Sequence, residues 1–164
     1  MRRMLTLMLA PMFLGFMAQA AWATQGAHFF SATSSIDSSG ALVVSFDEAG
    51  LGQATVNYTL NVTTATATYA CINGGGHHPK ASNKETFQSS LSQGASFTPK
   101  NGRVRADITA GPIGSGSFSC PSGQTLVLAK VTYSGITLTD TTNNVSTGVS
   151  TDPICRSFSV LFPC

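Results

Sequence analysis

The residues best suited to chemistry lie between Asn73 and Glu85, where Gly74-Gly75-Gly76 runs into His77-His78-Pro79-Lys80 and then Lys84. Imidazoles on a loop can take a transition metal. Adjacent side chains point apart, however, and only His28 remains as a third ring, so the pair falls short of a full donor set. The expectation is therefore no metal and no cofactor. A metal- or small-ligand-binding module centred on His77 and His78 is the alternative reading. The glycines with Lys80 lack both the spacing and the following helix of a phosphate-binding loop. No nucleophile-elbow pattern of Gly-x-Ser-x-Gly occurs. Asp47-Glu48 reads as a solvated acidic turn rather than a glycosidase dyad, whose carboxyls must flank a bound sugar. A small secreted hydrolase is the third reading, and no catalytic residue is nominated for it.

Cysteine offers the second kind of chemistry. Cys71, Cys120, Cys155 and Cys164 form an even set behind an export leader, which implies disulfides. Of the three possible pairings, Cys71–Cys120 with Cys155–Cys164 is expected, because the second pair closes a small ring with little reorganisation. On the chain-entropy account the larger loop contributes roughly 4 kcal/mol and the smaller roughly 3 kcal/mol. No pair has the close spacing of a zinc site.

The leader itself is legible. Met1-Arg2-Arg3 is a short basic start, Met4 to Met17 is apolar, and Ala18-Gln19-Ala20 and Ala21-Trp22-Ala23 both fit a small-x-small cleavage site. Residues 1–23 are expected to be a signal peptide cut after Ala20 or Ala23, leaving 24–164 as one secreted domain. The apolar run is shorter than the roughly 20 residues of a membrane span, so no membrane attachment is expected after its removal.

Of the nine basic residues two belong to the leader, and the remaining seven balance seven acids. A neutral domain gives no electrostatic reason to expect nucleic acid. Only 10% of residues are charged; Ser, Thr, Asn and Gly replace the charges, as suits an extracellular β-protein. The expected partner is an extracellular ligand or surface, and the sequence sets no oligomeric state. Asn57, Asn61 and Asn144 each open a glycosylation sequon.

The elements that must hold these groups read as strands. Val56, Tyr58, Leu60 and Val62 alternate with Asn57, Thr59 and Asn61, a period of two. A second run, Thr64 to Ile72, places Ala65, Ala67, Tyr69 and Cys71 on one face, so the Cys71 sulfur should point inward. Further strands are expected at Ala27 to Thr33, Ala41 to Phe46, Thr86 to Leu91, Arg103 to Thr109, Phe118 to Cys120, Leu126 to Leu138 and Ile154 to Phe162, with connections over 47–52, 92–102 and 140–153. In Leu126 to Leu138 the apolar parity changes, which predicts a bulge near Ser134-Gly135. No helical stripe follows the leader. The fold expected is all-β: an antiparallel β-sandwich, immunoglobulin-like in architecture only and stabilised by disulfides. A closed barrel is second. If Cys71 bonds Cys120, the 73–85 and 110–123 loops share one rim, carrying His77, His78, Lys80 and Lys84 as a binding surface.

Tyr69-Ala70-Cys71-Ile72-Asn73-Gly74-Gly75-Gly76, Pro79-Lys80, Asn83-Lys84-Glu85 and Cys120-Pro121-Ser122-Gly123-Gln124 give the chain a likeness. It resembles a group of small secreted bacterial β-proteins to which no activity is attached. The likeness spans about Val56 to Asp140. It implies a secreted β-domain with a cysteine pair and brings no catalytic residues. The function expected is that of a secreted, non-enzymatic β-sandwich with a binding or structural role outside the cell.

Overall fold

A segment with one apolar and one hydroxyl-covered face must lay the apolar face on another layer. In the computed structural model, which describes residues 26–73 and 83–164, the segment from Val56 does this as one long strand, β3 (Val56–Asn73), inside a sheet with β4 (Lys84–Phe97) and β6 (Gln124–Asp140) on either side. Two short strands, β7 (Val145–Gly148) and β8 (Ile154–Ser157), pair with successive parts of β6. The facing sheet has three strands in the order β1 (His28–Ile36), β2 (Leu42–Ala49) and β5 (Arg103–Ala110). Every pairing is antiparallel. The result is the expected disulfide-stabilised β-sandwich, and no helix occurs among the described residues.

The core is what the alternation specifies. Leu42, Val44 and Phe46 of β2 and Val104 and Ile108 of β5 meet Tyr58, Leu60, Val62, Ala65 and Ala67 of β3 and Val131, Tyr133, Ile136 and Leu138 of β6. Burying one such Val, Leu or Ile side chain contributes roughly 1.5–3 kcal/mol. Two tyrosines then bridge the layers by hydrogen bonds. The Tyr133 hydroxyl donates to the Gly40 carbonyl at 2.6 Å, and the Tyr69 hydroxyl to the Ile113 carbonyl at 2.7 Å. Along one side the gap between the sheets is laced shut. Ser150 N–H donates to the Ala32 carbonyl, the Ser34 hydroxyl to the Thr151 carbonyl, and Arg156 to the Ile36 carbonyl.

Several boundaries differ from expectation, each for a local reason. The runs 56–62 and 64–72 are one strand: the ladder to β6 keeps its register here, while the ladder to β4 shifts between Val62 and Ala65. Val62 pairs Ile136 and Thr64 pairs Ser134, leaving Thr63 beside Gly135. Gly135 sits at φ 65° there, and a Cβ on it would lie 2.5 Å from Thr63 Oγ1. The change of face expected near Ser134-Gly135 is present, with Tyr133 and Ile136 both buried, but the register with β3 runs through it without a shift, so it is not a bulge against β3. A second irregularity at Thr68/Tyr69 pairs Val127 with Ala70 on the outer face, so Val127 does not share a face with Val131 and Tyr133. β4 runs on to Phe97, six residues past Leu91, and β7 lies inside the segment expected to be turns. Phe118 to Cys120 is not a strand, and β8 stops at Ser157, after which the chain turns back. β2 continues through Asp47 and Glu48, so this pair is not a solvated turn.

Candidate functional site

Asp47 and Glu48 follow one another on β2, so the pleat sends them to opposite faces. Their fates differ accordingly. Glu48 points into the end of the core, is 0% exposed, and neither of its carboxyl oxygens has a hydrogen-bond partner. Burial pushes its pKa up to about 7, and the nearby Asp140 carboxylate adds to the rise. The Tyr58 hydroxyl offsets part of that rise without forming a complete hydrogen bond, and its own pKa is raised by burial and by Glu48. Asp140 is buried too, but it is held by donors. It accepts from Thr142 N–H, Asn143 N–H and the Asn143 side-chain amide, closing the turn into β7.

Asp47 faces outward and anchors a surface cluster. Register places Arg105, Asp47 and Ser31 side by side across β5, β2 and β1, with Arg103, Ala49 and His28 in the next outward row. Arg103 grips Asp47 with two hydrogen bonds of 2.5 Å, and Arg105 adds a third at 3.0 Å. Chiefly through the Arg103 bonds, the Asp47 pKa falls to about 2. Arg105 remains 70% exposed, so most of its donors face water.

A bulge in β1 completes this cluster. Phe29 pairs with Glu48 but Ser31 pairs with Asp47, so Phe30 is the additional residue. Phe29 packs inward against Phe46, while Phe30 is left on the outer face at 60% exposure. The ring is not loose. The Arg103 guanidinium lies 4.7 Å from its centroid and the His28 ring 4.8 Å away. His28 is itself fixed, because Nδ1 donates to the Gly26 carbonyl at 2.8 Å. Shallow clefts lie on either side of Arg103. One is lined by Phe97, Lys100, Arg103 and Arg105, another by His28, Phe30, Asn101 and Arg103. Asn101-Gly102, both at positive φ, make the tight turn that sets Lys100 beside Arg103. Three of the seven cations of residues 24–164, Lys100, Arg103 and Arg105, therefore line one cleft of this sheet, with Arg103 also against the Phe30 ring. That arrangement can hold a ligand with an acceptor-rich group beside an apolar face. It offers no nucleophile–base pair.

The rim expected from the cysteines is only partly visible. Cys71 and Cys120 are bonded, with Cα atoms 5.6 Å apart, and Cys155 is bonded to Cys164. Cys71 is fully buried on the inner face. The 110–123 segment crosses β3 and β4, resting on Tyr69 and Phe87. Asn83 ties the far end of the other loop down, accepting from Cys71 N–H and donating to Gln124. His77, His78 and Lys80 lie outside the described residues. Lys84 does not reach the 110–123 segment; its ammonium stands 5.3 Å from the ring centroid of Phe162. Among the described residues no group of three His, Cys, Asp or Glu side chains could hold a metal ion.

Sequence reasoning missed the Phe30 cluster. The doublet Phe29-Phe30 breaks the alternation of β1, and such a break is the only trace a bulge leaves in a sequence. Comparison with protein-family models, with curated proteins and with solved structures gives no match.

Proposed function

We propose that this chain is an exported, non-enzymatic β-sandwich that acts by binding outside the cell, with the outer face of β1–β2–β5 as its contact surface. One observation carries the reading: Phe30 is pushed out by a bulge and clamped between His28 and Arg103, and Arg103 is in turn fixed by Asp47. An exposed aromatic ring held by two neighbours loses little freedom on binding, which is how contact surfaces gain affinity. The leader pattern of residues 1–23 and two disulfides support an oxidising, extracellular setting. The sandwich layout, immunoglobulin-like only in that two sheets face each other, leaves whole sheet faces free for such contacts. Five of the seven carboxyl side chains support it as well. Asp37, Asp140 and Asp152 are engaged by backbone N–H groups, Asp47 by arginines, and Glu48 is shut in the core.

The ligand class is one that sets a carboxylate or a row of hydroxyls beside an apolar face. Retention on a panel of immobilised neutral and acidic polysaccharides and extracellular peptides tests it. At least one polymer should hold the wild type and release Phe30→Ala/Arg105→Ala, with folding unchanged. If no polymer tells the two proteins apart, or if a hydrolase panel gives turnover that one polar substitution abolishes, the reading fails.

A further inference from the structure

The other exposed apolar feature is at the opposite sheet. After β8 the chain forms a ring closed by Cys155–Cys164, nine residues apart. Its base is fastened at several points. Phe158 N–H donates to the Ala129 carbonyl at 2.9 Å, and the Phe158 ring tucks under Gly40. Lys130 Nζ donates to the Pro163 carbonyl at 2.7 Å, and the Lys84 ammonium sits over Phe162. Within the ring, Phe162 N–H donates to the Ser159 carbonyl. The tip is left in water: Val160 is 91% exposed and Leu161 54%. With Phe30 they are the large apolar side chains most open to solvent among the described residues, and here two stand together on a loop with little freedom to lose.

The charged side chains that touch this ring on the outer face have one sign. Lys84 and Lys130 touch the ring at Phe162 and Pro163, whereas Arg156 pairs with inward Val131 and reaches the Ile36 carbonyl of the facing sheet. Residues 155–164 contain no acid. Glu85 follows Lys84 but pairs with Tyr69, whose ring is on the inner face, so it points the other way. Asp152 is occupied by the N–H groups of Gly135 and Ile136.

We propose that Val160 and Leu161 dip into the surface of an anionic phospholipid bilayer, with Lys84 and Lys130 against its headgroups. A bilayer fits this layout better than a protein pocket does. Long cationic side chains at the base of a short apolar tip can stay at headgroup level while the tip enters the acyl boundary. The contact is peripheral, so it needs no membrane-crossing helix, and among the described residues no helix is long and apolar enough to cross. It stands apart from the Phe30 face, and different variants read the two.

Each apolar side chain buried contributes on the order of tenfold or more in partitioning, and each cation near an anionic leaflet roughly fivefold. The test is co-sedimentation of the oxidised protein with phosphatidylglycerol-containing vesicles and with pure phosphatidylcholine vesicles, at low and high salt. Binding should require the anionic lipid and weaken with salt. Val160→Asp/Leu161→Asp should lose it by a hundredfold or more, and Lys84→Gln/Lys130→Gln by on the order of twentyfold, while both variants melt as the wild type does. No sedimentation with anionic vesicles, equal binding to neutral ones, or equal binding by the tip variant overturns the proposal. So does tip-dependent retention on a protein in place of lipid.

Discussion

Replacing Glu48 by Gln removes the one buried carboxyl that has no formed hydrogen bond, at nearly constant shape. Its folded pKa stands at about 7 against an ordinary 4.5. A raised carboxyl pKa means the folded state holds its proton more tightly than the unfolded state. Stability from this group is therefore complete below pH 4.5 and is lost as pH rises to about 7, after which the profile is flat. The difference of about 2.5 units, at 1.36 kcal/mol each, is about 3 kcal/mol. For a domain of this size that is on the order of 10 °C in melting temperature. Urea unfolding followed by circular dichroism, at a series of pH values on wild type and Glu48→Gln, reads it directly. The wild type should lose stability relative to the variant through that window, and the curves should run parallel on either side of it. Parallel curves throughout, or a wild type that gains on the variant as pH rises, would refute the claim that Glu48 is desolvated.

Its neighbour has the opposite sign. Asp47 is lowered to about 2, so its contribution is present above its ordinary 3.8 and is lost as pH falls toward 2; Asp47→Asn should flatten the acid limb of the same urea series. Together the two acids put the stability maximum at about pH 4 to 5. Gly135→Ala should cost about 2 kcal/mol or more in chemical denaturation, because the residue is left-handed and Thr63 fills the space beside it. Cys71→Ala/Cys120→Ala should cost about 4 kcal/mol and Cys155→Ala/Cys164→Ala about 3 kcal/mol, from the loops of 49 and 9 residues that they close. Thermal melts of the two pairs should keep that order.

How much of this was legible depends on where parity holds. Val56, Tyr58, Leu60 and Val62 announce a half-buried strand because each choice agrees with a period of two. The switch to Ala65, Ala67, Tyr69 and Cys71 was equally visible, and it marks the register shift of β3 against β4 rather than the end of a strand. β4 was cut short because Ser89 and Gln93 occupy inward positions between Phe87, Leu91, Ala95 and Phe97, so the pattern fades although the pairing does not. Glu48 follows Val44 and Phe46 at the same spacing, and parity alone would have placed it inward. The adjoining glycines outweighed that signal, since a buried unpaired carboxyl is the costlier reading. The sulfur pairing followed from spacing. The Phe30 cluster did not, because it depends on one inserted residue and on a register between strands some 50 to 75 residues apart in sequence. The disulfide ring at Cys155–Cys164 was foreseen, but that it meets Lys84 and Lys130 is a property of the outer face of β3, β4 and β6, which only the folded sheet assembles.

Export with both sulfur pairs formed is the premise on which the binding role rests. An unreduced peptide map of the protein recovered from the medium, by mass spectrometry, tests it most directly. It should begin at Ala21 or Thr24, lack four hydrogens relative to the thiol form, and show Cys71 linked to Cys120 and Cys155 to Cys164. A chain that keeps its first residues and carries four free thiols would contradict the account.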